Sequence, residues 1–248
     1  MNSAEVGCRL VFDVTSPAEI VLQIAAAGAS SESLTATCDG RPLAVSDDFR
    51  APVGRVVVSY QARVSTPPPP APIGRIEALR PSRYCPSDRL GGFAARMFGG
   101  ADDPVRAIVD WVNRHLIYQA GASGPSTDAI DTLLSGQGVC RDYAHLTATL
   151  CRSLDIPARV AAVYAPGLSP MDFHLVTETL LDGEWRVWDA TRLAPRPTLV
   201  RIATGRDAAD TAFATTITGA LTMPELEIFA VAADDLPYDD HQALVSLP

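Results

Sequence analysis

Five of the seven residues in 66–72 are proline. Proline has no amide N–H to give to a helix or a sheet ladder, and its ring locks φ. Such a run is a polyproline II spacer, and the chain must fold on either side of it. The two sides differ in texture. Residues 9–14, 19–25, 34–38 and 55–62 are rich in Val, Ile, Thr and Tyr with partial alternation, and Cys38-Asp39-Gly40-Arg41 and Ser46-Asp47-Asp48 supply turns between them. The expected organisation is a small N-terminal β domain over 1–65, a Pro-rich linker over 66–77, a mixed core over 78–232 and an acidic, mobile tail over 233–248.

Helix signals begin after the linker. Asp103-Pro104 is a helix start, followed by Val105, Ile108, Val109, Val112 and Leu116 at helical spacing. Residues 126–134 read as a second helix, capped by Ser126 or Thr127. A third helix over 139–154 carries Tyr143, Ala144, Thr147, Leu150, Cys151 and Leu154 on one stripe and ends at Pro157. Residues 158–164 then read as a strand. Residues 173–181 and 185–189 form a hairpin about Asp182-Gly183, and 198–204 and 224–232 read as further strands.

The formal charge is −9, and all 20 basic residues are arginine. That balance excludes nonspecific attraction to nucleic acid or an anionic membrane. The longest apolar patch, near 20–27, is far shorter than the roughly 20 residues of a membrane span, and the first twelve residues lack a basic-then-apolar leader. The expected compartment is the cytoplasm, with reduced thiols. The cysteines are Cys8, Cys38, Cys85, Cys140 and Cys151. None are paired at zinc-ligand spacing, so neither a metal nor a cofactor is expected.

Cys140 opens the third helix after Ser135-Gly136-Gln137-Gly138-Val139. The helix dipole and the unpaired N–H groups there favour thiolate over thiol. Cys151, eleven residues on, falls on the apolar stripe and reads as core. In the hairpin, a two-residue turn pairs Leu181 with Glu184 and hence Val176 with Asp189. His174 is then a diagonal neighbour of Asp189 on the same face, about 7–8 Å away at Cα. One hairpin can therefore present a base and its orienting carboxylate to a thiol on a separate helix. His115 reads as surface or core, His145 faces away from the thiol by about 140°, and His241 lies in the tail.

The run Gly138-Val139-Cys140-Arg141-Asp142-Tyr143-Ala144-His145-Leu146 resembles the nucleophile motif of bacterial transglutaminase-like cysteine proteins. Asp155-Ile156-Pro157-Ala158-Arg159, Phe173-His174-Leu175-Val176-Thr177-Glu178, Trp188-Asp189-Ala190-Thr191 and the segment Gly205-Arg206-Asp207-Ala208-Ala209-Asp210 follow in the family's order, so the resemblance covers about 78–220. It implies an α+β fold with a papain-like transglutaminase core, a Cys-bearing helix packed on an antiparallel sheet, preceded by a small β domain. It also implies Cys140 as nucleophile, His174 as general base and Asp189 as orienter. Leu175-Val176 stand where the family usually has Ala-Trp, an aromatic that shapes the channel.

The chemistry expected is attack on an amide or peptide carbonyl through a thioester. The Cys140 N–H and the Gln137 side chain are the candidate oxyanion donors. Release by water makes a peptidase or amidase. Release by a primary amine makes a transglutaminase or acyltransferase, and a non-catalytic scaffold is a further alternative. Water is favoured, because no amine site is identifiable. The expected partner is a peptide or amide substrate, with a primary amine as the alternative acceptor. A chain without lysine cannot crosslink to itself through its own side-chain amines.

Overall fold

The computed structural model describes residues 3–45, 49–65 and 74–247. The expected turn at 46–48 and the proline run lie outside them. Two antiparallel sheets organise the chain. The first is built from β1 (Ala4–Leu22), β2 (Ala29–Cys38), β3 (Arg41–Leu43), β4 (Phe49–Ala51) and β5 (Gly54–Val64). The expected strands at 9–14 and 19–25 are one continuous strand, β1. The β2–β3 turn falls at Asp39-Gly40, both at positive φ (47° and 78°), as a tight hairpin of matching twist requires.

The second half opens with α1 (Gly91–Phe98) and α2 (Pro104–His115). The Asp103 side chain caps α2 by accepting from the Arg106 N–H at 3.0 Å. After β6 (Ile117–Tyr118) comes α3 (Ala129–Ser135). Its cap is Asp128, which accepts from the N–H groups of Ile130 and Asp131, and not Ser126 or Thr127. Then follow β7 (Gln137–Gly138), α4 (Cys140–Arg152), β8 (Ala158–Tyr164), β9 (His174–Leu181), β10 (Glu184–Trp188), β11 (Val200–Gly205), α5 (Ala208–Thr211) and β12 (Ala214–Ala232). The second sheet has the order β10-β9-β8-β11. Helix α4 is buried along almost its whole length against that sheet, with α1, α2 and α3 around it.

Two expectations change here. The mixed core does not run to residue 232, because β12 pairs antiparallel along the whole of β1 at one end of the first sheet. No local pattern could reveal a partner some two hundred residues away. The described part of the acidic tail docks on the second sheet. The Val187 N–H donates to the Val245 carbonyl at 2.7 Å, Leu247 is buried under the second sheet, and Asp239 pairs with buried Arg196 at 2.8 Å. Alternating Leu and Val supply the apolar contacts that a net-charge reading overlooks.

The halves share a core at one seam. Tyr164 of β8 and Val200 of β11 pack among the buried side chains of the first sheet, and the Tyr164 hydroxyl donates to the Ile24 carbonyl at 2.7 Å. Among the described residues, no helix is long and apolar enough to cross a membrane.

Candidate active site

The thiol is set by the chain entering α4. α3 stops at Gly136, whose φ of 66° is the left-handed cap that glycine adopts without strain. β7 then pairs in parallel with β6, Ile117 opposite Gln137 and Tyr118 opposite Gly138. The Asp142 carboxylate reaches back to accept from the Val139 N–H at 2.8 Å, and it accepts from the Ser123 hydroxyl at 2.8 Å. A Cβ on residue 138 would meet the Asp142 side chain at 2.6 Å, so this closure needs glycine. Asp142 therefore fixes the first turn of the helix that begins with Cys140. Arg141 braces the same entry by donating to the Ser123 hydroxyl and to the carbonyls of Gly124 and Thr127, with its guanidinium 4.4 Å from the Tyr84 ring centroid.

The hairpin has the register expected of a two-residue turn. Leu181 pairs with Glu184 and Thr177 with Trp188, with Asp182 and Gly183 at positive φ between the strands. The diagonal geometry follows: His174 Nε2 lies 2.9 Å from Asp189 Oδ2, and both side chains are buried. Asp189 Oδ1 accepts from the N–H and the hydroxyl of Thr191 at 2.9 and 2.7 Å. Every lone pair that matters on Asp189 is thus engaged, and the carboxylate cannot turn away. The remaining ring nitrogen, His174 Nδ1, is buried without a conventional hydrogen-bond partner and faces the Cys140 thiol. Cys140 is half-buried, with Sγ 3.9 Å from the Phe173 carbonyl.

Electrostatics match this arrangement. Burial pulls the His174 pKa down, but the Asp189 carboxylate and the Cys140 sulfur outweigh it and lift the value to about 10. Burial pushes Asp189 up, but its bonds to His174 and Thr191 hold it below the usual carboxylate range. Buried thiols elsewhere behave as inert core: burial raises Cys8 and Cys85 to about 11 and Cys151 to about 12.

Cys140, His174 and Asp189 are brought together. Gln137 is not visibly recruited: it is exposed in β7, and its side chain has no hydrogen bond among the described residues. Tyr118 of β6 borders the site. It is 45% exposed and lies opposite Gly138, two residues before Cys140. The signal for it is the two-residue β6, too short to register as a strand pattern. His145 is fully buried on α4, behind Tyr84 and Ala208. Its Nε2 accepts from the Ala208 N–H at 3.0 Å, and its ring stacks on Tyr84. Arg206 and Asp210 form an exposed bidentate ion pair, while buried Asp207 caps α5 and accepts from the Tyr84 N–H. Among the described residues, no group of three or more His, Cys, Asp or Glu side chains is placed to hold a metal ion.

The transglutaminase-like superfamily model matches residues 92–190, the segment that carries Cys140, His174 and Asp189. A crystal structure of a proposed cysteine protease from Cytophaga hutchinsonii aligns over 98% of this chain and 96% of that one, at 31% identity and a TM-score of 0.87. The chain belongs to the transglutaminase-like superfamily. An uncharacterized Mycobacterium leprae protein, ML0607, is 28% identical over 159 residues. That match takes in 57% of this chain and 56% of the relative's own length. The α+β architecture is that of a transglutaminase-like core with a β region before it, and the family supports a cysteine-dependent enzyme.

Proposed function

We propose that this transglutaminase-like protein hydrolyses an amide or peptide bond through a thioester on Cys140. The observation that carries the reading is the buried 2.9 Å contact of His174 Nε2 with Asp189, which leaves the other ring nitrogen free for the thiol. In this reading His174 holds the thiol's proton and the resting site is a thiolate–imidazolium pair. The thiolate attacks the carbonyl carbon, a C–S bond forms, and the carbonyl π pair moves onto oxygen. The Cys140 N–H meets that oxyanion. His174 then gives its proton to the leaving nitrogen as the C–N bond breaks, which leaves the thioester. Water attacks next, giving one proton to His174. The C–S bond breaks, the acid departs and the thiolate returns. Asp189 acts throughout on the tautomer and charge of His174. The five free cysteines fit the reducing cytoplasm that this reading assumes.

The test is the rate of Cys140 alkylation by iodoacetamide against pH. The native protein should react well below pH 8, and His174→Ala should lose that low-pH reactivity. A slow rate that rises only with ordinary thiol ionisation in both proteins would defeat the proposal. Peptide turnover with and without a primary amine then divides release by water from release by amine.

A further inference from the structure

A cavity of about 300 Å³ opens on the thiol. Ala162, Phe173, Leu175, Ile202, Ala208 and Phe213 make its wall apolar. Phe173 and Phe213 stack with centroids 4.6 Å apart, backed by Tyr164 at 5.6 Å from Phe173, so the aromatic end of the wall is held in place. The polar side chains that reach it are engaged elsewhere. The Tyr84 hydroxyl donates to the Pro125 carbonyl, Arg141 to Ser123, Gly124 and Thr127, and the Thr211 hydroxyl to the Asp207 carbonyl. Beyond the triad, only the exposed carboxylate of Asp172 remains, and it accepts from the Phe173 N–H. A polar side chain entering here would give up water and find only the Asp172 carboxylate at the exposed rim, whereas an apolar one would gain by burial against the wall.

We propose that this cavity receives a bulky apolar side chain of the acyl donor, and that donor selection disfavours glutamine. The proposal rests on the thioester reading above. Cys140 is itself part of the wall, and the acyl donor is the group bonded to it after the amine has left. The size agrees, since 300 Å³ lies at the small end of ligand sites and suits one side chain better than a cofactor. Thr211, Ala212 and Phe213 close one side, and they lie on the segment that leads from α5 into β12. The strand that completes the N-terminal sheet therefore also anchors a wall of the specificity pocket, which gives that sheet a part in choosing the substrate.

The experiment uses three peptidyl chloromethyl ketones that differ only in the residue next to the ketone: glycine, glutamine or phenylalanine. In each, the thiolate forms a C–S bond and chloride leaves. The full-length protein should be inactivated by the phenylalanine reagent at least about tenfold faster than by the glycine one, the scale at which apolar pockets discriminate. The glutamine reagent should be no faster than glycine. Ala212→Trp, which narrows the cavity, should abolish the phenylalanine advantage, and Phe213→Ala should weaken it. Equal rates, or a glutamine preference, overturn the proposal. The unmodified chain decides this even when a variant fails to fold. Iodoacetamide separates the two layers. Low-pH alkylation of Cys140 without ketone selectivity refutes the pocket alone, whereas no such alkylation refutes the thioester reading and the pocket with it.

Discussion

The two sheets are stabilised in opposite ways. The interior of the first is apolar, with Val6, Leu10, Phe12, Ile20, Val56 and Val58 nearly or fully buried. Its ion pairs, such as Arg9 with Glu225 and Arg63 with Glu5, lie on the exposed surface. The second sheet carries charge inside. Glu178 of β9 is wholly buried and accepts from Arg159 of β8 at 2.8 Å and from Arg201 of β11 at 2.9 and 2.8 Å. Apolar faces tolerate small rearrangements that keep volume, but a buried carboxylate between two guanidiniums does not. A one-residue slip of β9 would leave three charges unpaired and would carry His174, four residues from Glu178, to the wrong face. Register in the second sheet is thus held by charge as well as by hydrophobic pattern, in the half that carries Cys140, His174 and Asp189.

The comparison can be broken most forcefully at Glu178. Glu178→Ala leaves Arg159 and Arg201 buried without their partner, and urea unfolding should show a loss of about 3–5 kcal/mol. In the first sheet the comparable injury needs an apolar residue. Leu10→Ala should lose about 2–5 kcal/mol in the same measurement, with the Cys140 alkylation rate kept wherever the protein remains folded.

The two buried histidines give opposite pH responses. Burial first, then the charges of Arg141 and Arg152, hold His145 well below the ordinary imidazole pKa. The unfolded chain takes up that proton before the folded one does, so stability falls as pH drops below about 6.5. His174 is raised to about 10, so its stabilisation is complete below about 6.5 and disappears as pH rises through 10. Thermal melts across pH should peak near neutrality. His145→Gln should flatten the acid limb between pH 5 and 6.5, and a limb unchanged in that variant would assign the acid loss elsewhere. The smallest effect belongs to the exposed pairs: Glu225→Ala should leave the melting curve where it is, and a clear shift would contradict the contrast between the two sheets.

What the chain revealed in advance was local. Asp182-Gly183 admits a two-residue turn, the strand period of two carries His174 and Asp189 to one face, and the Gly-rich approach marks Cys140 as a helix start. Each of these depends on residues within about fifteen of one another. The remainder depends on long-range packing. The pairing of β12 with β1, the docking of Val245 and Leu247, and the placing of Tyr118 beside the thiol are settled by distant neighbours, and α1 is short with two glycines at its start. Ser126, Thr127 and Asp128 are all competent caps, and choosing between them needs the backbone in view.

The embrace of β1 by β12 also sets an order of events during synthesis. Strand β1 must wait for β12, some two hundred residues later in the chain, before its outer partner arrives. Until then the edge of β1 is an open template for any extended chain nearby. The second sheet, whose strands all fall between residues 158 and 205, emerges before β12 does. A released chain that ends just short of β12 would therefore keep the strands of its second sheet and leave its first sheet unfinished, with the outer edge of β1 open to aggregation.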